Sequence, residues 1–194
     1  SEPYFEFNGR YWAVAVDTLG RKLSIVEIQP DTMPKPERKS DGAEVREIER
    51  RLQALLNKRA PDFVGFDLSG VEVDQAAFAD SIIVLAFWHT GCIPCRHEQP
   101  QLNDLVTEYS GNPVVFLAPT FNARRQIPSY LDQFPFSYRV LPDAEDMIVD
   151  YGVTAYPTHM VIDGQGTVCY VRFGARRDID QQLRTVIDSI LNAE

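Results

Sequence analysis

The chain opens with alternating apolar and polar positions, which predict short β-strands. Residues 4–7, 11–16 and 23–28 carry this period of two, and turn-forming residues separate them. The first turn is Asn8-Gly9, a pair that suits a two-residue hairpin because both central positions need a positive φ. The pattern therefore predicts a three-stranded meander, and the proline-rich residues 29–39 after it read as a linker.

Helical spacing replaces the strand pattern after this linker. One face collects the apolar residues Val45, Ile48, Leu52, Leu55 and Leu56. Asp41 precedes Glu44 by three residues, which is the spacing of a capping box at a helix start. We therefore expect an amphipathic helix from Asp41 to about Lys58, ended by Ala60-Pro61.

From residue 60 onward, strand and helix patterns alternate. This order favours a mostly parallel or mixed sheet with helices packed on it, as in α/β proteins. Residues 81–88 are almost all apolar, as a central strand covered on both faces requires. The other predicted strands are residues 63–67, 71–73, 113–119, 159–162 and 168–173. The predicted helices are one that starts at the cysteine pair and is ended by Gly111, 127–134, 143–151, and a terminal helix whose apolar face runs from Ile179 to Leu191. We accordingly divide the chain into an extension of residues 1–58 and a domain of residues 59–194.

Composition and charge narrow the class of protein. The 194 residues are 44% hydrophobic, which is enough to build a packed core and excludes disorder throughout. A formal net charge of −9 makes nucleic acid and anionic lipid unfavourable partners. The longest apolar run is far shorter than the ~20 residues of a membrane-spanning helix. Since Ser1 is followed by no signal-peptide pattern, we expect any export signal to have been removed.

The most informative motif is Cys92-Ile93-Pro94-Cys95, between the central strand and a helix. A thiol at a helix N-terminus faces unpaired backbone N–H groups, which favour its thiolate, so Cys92 is the expected nucleophile. Cys95, one turn further on, can attack a mixed disulfide formed at Cys92. A C-x-x-C pair can also be half of a zinc site, but the strand, the internal proline and the helix favour redox chemistry.

The chain resembles a known family at several motifs. They are Ala60-Pro61-Asp62-Phe63, the strand 84–88 with the cysteine pair and Glu98 behind it, Tyr156-Pro157-Thr158, Val161-Ile162-Asp163 and Gly166. Together these motifs resemble the TlpA/ResA branch of the thioredoxin superfamily over residues 60–194. The resemblance implies a thioredoxin fold, a mixed sheet flanked by helices, here extended by the meander and helix. It also implies a periplasmic or otherwise extracytoplasmic thiol–disulfide oxidoreductase without metal or cofactor, often a reductase of protein disulfides supplied by an electron donor protein.

The resemblance also assigns roles to individual residues. Cys92 matches the attacking cysteine and Cys95 the resolving one. Pro157 matches the cis-proline that faces the pair, and Tyr156 before it would offer backbone groups to a substrate strand. Glu98 matches an acidic residue that assists proton transfer at the resolving cysteine; its alternative is a solvated glutamate in the first helical turn.

One departure from the family lies directly before the first cysteine. Many relatives have tryptophan there, whereas this chain has His89-Thr90-Gly91. We expect the loss of that ring to uncover the two sulfurs. His89 then reads either as a titrating group near them or, more simply, as a loop histidine.

Other chemistries were compared with this interpretation. Copper binding is disfavoured for Cys92, Cys95, His89 and His97. Copper carriers on this fold resemble a cysteine pair spaced C-x-x-x-C, and His97 should point away from Cys95. A peroxidase is disfavoured because Thr90 stands two residues before Cys92, whereas the corresponding threonine of peroxiredoxins stands three residues before the nucleophilic cysteine. A redox-idle interaction module on the same fold remains the second hypothesis. Cys169 is predicted to be a buried core residue.

Overall fold

The computed structural model describes residues 42–193 and, before them, the backbone of residues 4–7, 10–16 and 22–28. The chain divides into two compact units, residues 1–41 and 42–194.

Within its described residues, the first unit contains three strands, β1 (Tyr4–Phe7), β2 (Arg10–Val16) and β3 (Lys22–Ile28). They pair antiparallel in the order β1-β2-β3, which confirms the predicted meander. The Asn8-Gly9 turn, the linker and the capping residue Asp41 lie outside the described residues.

The second unit alternates strands and helices along the chain. Its helices are α1 (Gly42–Gln53), α2 (Ile93–Glu108), α3 (Ile127–Leu131), α4 (Glu145–Asp150) and α5 (Ile179–Leu191). Its strands are β4 (Val64–Phe66), β5 (Glu72–Asp74), β6 (Ile82–Phe87), β7 (Val114–Pro119), β8 (Arg139–Leu141), β9 (Thr158–Ile162) and β10 (Val168–Phe173).

Five of these strands form one mixed sheet in the order β10-β9-β6-β7-β8. Strands β6, β7 and β8 run parallel, while β9 is antiparallel to both β6 and β10. All six residues of β6 are buried, so the prediction of a central, doubly covered strand is confirmed. Strands β4 and β5 form a separate hairpin.

The sheet separates two hydrophobic layers because successive residues of a strand point to opposite faces. Val84 and Ala86 of β6 belong to the layer that also holds both cysteines and the apolar faces of α2 and α5. Leu85 and Phe87 belong to the opposite layer, with residues of α1 and α4. The cysteine pair and α1 therefore lie on opposite faces of the sheet.

Helix α1 is shorter than predicted and belongs to the second unit. It ends at Gln53 because the following residues pair with the start of β10: Asn57 N–H donates to Val168 C=O at 2.8 Å, and Val168 N–H donates to Lys58 C=O at 2.9 Å. Leu52 is buried against the sheet at 1% exposure. By packing, the boundary between compact units falls after residue 41, whereas the division at residue 58 stays a prediction.

Strand β8 is the one sheet strand that the pattern did not predict. Three residues are too short for a period of two to be recognised, and its pairing with β7 depends on a partner more than twenty residues earlier in the chain. Within the part of the chain that the structure describes, no helix is both long enough and apolar enough to cross a membrane.

Candidate active site

The two cysteines lie where the central strand passes into α2. Cys92 is the N-cap of this helix, and its Sγ accepts a hydrogen bond from Cys95 N–H at 3.2 Å. The pair forms a disulfide with its Cα atoms 5.3 Å apart. A sulfur in this position faces the positive end of the helix dipole and an otherwise unpaired backbone donor, both of which favour a thiolate after reduction.

The approach to Cys92 is held by polar contacts with the next strand. Thr90 N–H donates to Asn122 Oδ1 at 2.8 Å, and the same oxygen accepts from Thr120 Oγ1 at 3.0 Å. Trp88 Nε1–H donates to Ala118 C=O at 3.2 Å, which holds its ring beneath the loop. These bonds attach the segment before the cysteines to β7 and its following loop.

The expectation of uncovered sulfurs is wrong. Cys92 is 5% exposed and Cys95 3% exposed. The His89 ring lies against Gly91, so that a Cβ on this glycine would be only 3.4 Å from His89 Nδ1. The His89 ring therefore fills part of the space beside Gly91. Partial burial lowers the pKa of His89.

His89 belongs to an aromatic cluster with Phe121 and Tyr156. Ring centroids are 5.2 Å apart for His89 and Phe121, 5.1 Å for His89 and Tyr156, and 5.8 Å for Phe121 and Tyr156. Phe121 is 40% exposed, so the cluster presents part of its surface to solvent beside the redox pair. The sequence did not predict this cluster because its members come from three separate loops.

The loop before β9 has the predicted cis peptide bond between Tyr156 and Pro157. Pro157 is buried and lines the same small cavity as Cys95. Its carbonyl accepts a hydrogen bond from Gly174 N–H at 2.8 Å. Among the described residues, neither the backbone N–H nor the C=O of Tyr156 has a hydrogen-bond partner.

Glu98 is buried rather than solvated, at 3% exposure, so the alternative of an exposed first-turn glutamate is wrong. Its Oε1 accepts a hydrogen bond from Arg176 N–H at 2.6 Å, and its Oε2 lies 2.9 Å from His159 Nε2. Glu98 follows Cys95 by three residues, which places both side chains on the same face of α2. A carboxylate is thus held directly behind the second cysteine.

His159 is the residue that sequence reasoning missed. It lies in β9 opposite Ala86 of β6 and is 1% exposed. The sequence pattern placed His159 in a strand and assigned it no role. A histidine at an inward-facing position of an otherwise apolar strand is the signal that could have identified it as a candidate site residue. Its pairing with Glu98, sixty-one residues away, follows only from the packing of α2 on the sheet.

The remaining candidate residues lie elsewhere or carry no site. His97 is exposed on α2. No group of three or more His, Cys, Asp and Glu side chains that could hold a metal occurs among the described residues. Cys169 is partly exposed on the β9–β10 hairpin, so its predicted burial in the core is wrong. Burial and a hydrogen bond to Asp163 Oδ2 at 3.4 Å raise the pKa of Cys169 to about 11.

Comparisons with known proteins agree with this geometry. Residues 56–171 match the AhpC/TSA family. The chain is 31% identical over 135 residues to thiol-disulfide oxidoreductase ResA from Geobacillus thermodenitrificans, covering 68% of this chain and 78% of the relative. It is 28% identical over 131 residues to thioredoxin-like protein YneN from Bacillus subtilis, covering 65% and 77% respectively.

A solved structure supports the same assignment. A Chlorobium tepidum chain, provisionally named thiol:disulfide interchange protein DsbE, superposes with a TM-score of 0.65 at 27% identity. The match covers 70% of this chain and 97% of that one. The thioredoxin fold and the TlpA/ResA-like assignment, expected from the resemblance, are confirmed.

Proposed function

The chain belongs to the AhpC/TSA family and is a thioredoxin-like thiol–disulfide oxidoreductase, and from this premise we propose that it reduces protein disulfides outside the cytoplasm through Cys92 and Cys95. The observation that carries the proposal is the Cys92–Cys95 disulfide at the N-terminus of α2 beside the cis-proline loop. This geometry provides a nucleophile, a resolving thiol and a place for a substrate strand.

The reaction has two exchange steps. The Cys92 thiolate attacks a substrate disulfide, forms a mixed disulfide and releases one substrate thiolate. The Cys95 thiolate then attacks Cys92 Sγ, so that the enzyme disulfide forms and the second substrate thiolate leaves. Two electrons pass to the substrate, and an electron donor protein must reduce the enzyme again before the next cycle.

Substrate binding is proposed at Tyr156 and Pro157. The open backbone groups of Tyr156 suit pairing with an extended segment around the substrate cysteine, and main-chain pairing gives affinity with little dependence on sequence. The exposed edge of the aromatic cluster lies next to this segment and adds apolar area. Selectivity among substrates is then a property of the aromatic cluster more than of the backbone.

Glu98 is proposed to accept the proton of Cys95. A thiol enclosed at 3% exposure has little access to water, so it needs an internal base before it can attack. Glu98 lines the same cavity as Cys95. The extracytoplasmic location and the direction of electron flow rest on the likeness to the TlpA/ResA branch.

Trapping tests the proposed exchange. In Cys95→Ser the mixed disulfide cannot be resolved, so covalent complexes with protein substrates should accumulate and should dissolve on adding dithiothreitol. Cys92→Ser is the matched control and should trap nothing. If neither variant forms complexes, the redox-idle interaction module becomes the better description.

The reduction potential tests the direction of electron flow. Equilibration with glutathione buffers, followed by alkylation of free thiols, measures it for the Cys92–Cys95 couple. A value near that of thioredoxin, about −270 mV, supports a reductase, whereas one near −120 mV indicates an oxidant of folding proteins. Rapid peroxide consumption with a saturating reductant would instead favour a peroxidase.

A further inference from the structure

A buried histidine–glutamate pair lies behind the resolving cysteine. The His159 side chain is 1% exposed and that of Glu98 4%, with 2.9 Å between Nε2 and Oε2. Buried polar groups of this kind are costly unless they are paired, and breaking one partner leaves the other uncompensated. The pair therefore requires a reason beyond packing, because an apolar residue at position 159 would continue the surrounding core.

We propose that His159 is a positioning residue for the resolving step: it holds Glu98 as a carboxylate aimed at Cys95, ready to accept the thiol proton. This inference rests on the proposed exchange between Cys92 and Cys95 and deepens it. His159 itself does not touch the reacting sulfurs in this role. It acts through Glu98.

The hydrogen-bond pattern assigns the proton on the imidazole. Arg176 N–H can only donate, so Glu98 Oε1 accepts. An ionised Glu98 must also accept at Oε2, which places a proton on His159 Nε2. His159 Nδ1 is buried and has no partner among the described residues. In a neutral ring protonated at Nε2, Nδ1 is only an unused acceptor. In an imidazolium, Nδ1–H would be a buried charged donor without a partner. The neutral Nε2–H tautomer therefore fits the site.

The pair faces the second cysteine rather than the first. Cys95, Glu98, Pro157 and His159 line one small internal cavity on the inner side of α2. Two tyrosines, Tyr138 and Tyr170, also lie close to Glu98, and burial together with the Glu98 charge raises the pKa of both. Both thus remain neutral phenols and do not compete for the proton.

The proposed resolving step moves one proton and exchanges one S–S bond for another. Cys95 S–H transfers its proton to the Glu98 carboxylate, giving a Cys95 thiolate and a carboxylic acid. The thiolate forms a bond to Cys92 Sγ, the bond between Cys92 and the substrate sulfur breaks, and its electron pair leaves with the substrate thiolate. His159 keeps its Nε2 proton throughout and holds Oε2 in place.

Two amides of different reach test this role. Gln at position 159 can place its amide nitrogen near the Nε2 position, whereas Asn is one methylene shorter and cannot reach Glu98 Oε2. Val161→Ala is the structural control, because Val161 is buried in the same strand and in the layer that holds the cysteines. His159→Leu serves as a second test variant if the Asn protein does not fold.

The reaction of the reduced full-length protein with 5,5′-dithiobis(2-nitrobenzoate) separates the two steps. The first thiolate released reports attack by Cys92, and the second reports resolution by Cys95. We expect His159→Asn to slow the second phase by about tenfold or more, which is a part of the roughly 10²–10⁴-fold that a positioned general base contributes, and to leave the first phase within about twofold. His159→Gln should recover most of the second-phase rate, and Val161→Ala should keep both rates.

Two results would overturn the inference while leaving the proposed function intact. One is a second phase in His159→Asn within twofold of the unmodified protein. The other is equal slowing in His159→Asn, His159→Gln and Val161→Ala, which would indicate a general packing effect. If the unmodified protein releases no second thiolate, the exchange mechanism itself fails. Adding His159→Asn to Glu98→Gln should slow the second phase no further, because His159 acts through Glu98 and Glu98→Gln has already removed that proton acceptor.

Discussion

Leu52→Ala should destabilise the thioredoxin-like unit without altering its redox chemistry. Leu52 is the one fully buried residue of α1 within the described chain, and it packs into the layer on the side of the sheet away from the cysteines. The substitution removes its contacts and leaves a cavity between α1 and the sheet. It therefore measures how firmly the helix is attached.

The structure sets the size of the effect. Leu-to-Ala substitutions in cores cost roughly 2–5 kcal/mol, and the lower part of this range applies where the surroundings can relax. Leu52 borders a groove between α1 and β10 that Val45 and Phe173 also line, so some relaxation is available. We expect a loss of about 2–3 kcal/mol, which corresponds to a fall in Tm of about 5–10 °C for a unit of this size.

Equilibrium unfolding in urea, followed by tryptophan fluorescence, measures this loss, since Trp88 is 1% exposed in the folded protein. Val45→Ala is the matched control on the same helix, because Val45 is 40% exposed, and it should cost under about 1 kcal/mol. If Leu52→Ala costs no more than this control, α1 does not dock in solution as described. Both variants should react with thiol reagents at the unmodified rate.

A truncated chain starting at residue 59 extends this test. It lacks α1 entirely and exposes the surface that Leu52 covers, so we expect it to be less stable than Leu52→Ala. Equal stability of the truncated and full-length chains would contradict docking of the extension through α1. It would instead support residues 59–194 as a self-sufficient domain.

Three further predictions concern other parts of the molecule. Phe121→Ala removes the exposed ring of the aromatic cluster and should raise KM for a protein disulfide several-fold. The rate with a small disulfide should stay within about twofold, and equal effects on both substrates would argue against a docking role. Cys169 should be alkylated slowly at pH 7.5 because burial and Asp163 disfavour its thiolate. The alkylation rate, followed by mass spectrometry, should rise about tenfold per pH unit towards the Cys169 pKa of about 11. Fast labelling at neutral pH would contradict this prediction. Arg184→Met removes the bidentate pair with Glu108 that joins α5 to α2. Arg184 lowers the pKa of Glu108, so the contribution of the pair, under about 1 kcal/mol for so exposed a group, is present above pH 4.5 and is lost as the pH falls through the lowered pKa. Urea unfolding should therefore show the full difference between variant and parent at pH 7 and a smaller difference as the pH is lowered below 4.5.

Local patterns along the chain were sufficient for most of the elements. The central strand β6 was predicted within one residue at each end, and the helix that begins after Cys92 and the C-terminal α5 were predicted at their places in the chain. Each has a strong period or an apolar run, and the turn and capping residues stand next to it in sequence. The nucleophile at a helix N-terminus could be identified for the same reason, because strand, cysteine and helix are consecutive.

The tertiary structure alone decided what surrounds the sulfurs. His159 reaches Glu98 because β9 pairs antiparallel with β6 in one register, and a shift by one residue would turn the imidazole to the opposite face of the sheet. The aromatic cluster likewise joins three loops that are distant in sequence, and the two cysteines are buried although local reasoning left their sulfurs exposed. Patterns of period two or 3.6 describe the faces of single elements, whereas these contacts depend on how separate elements are placed against each other.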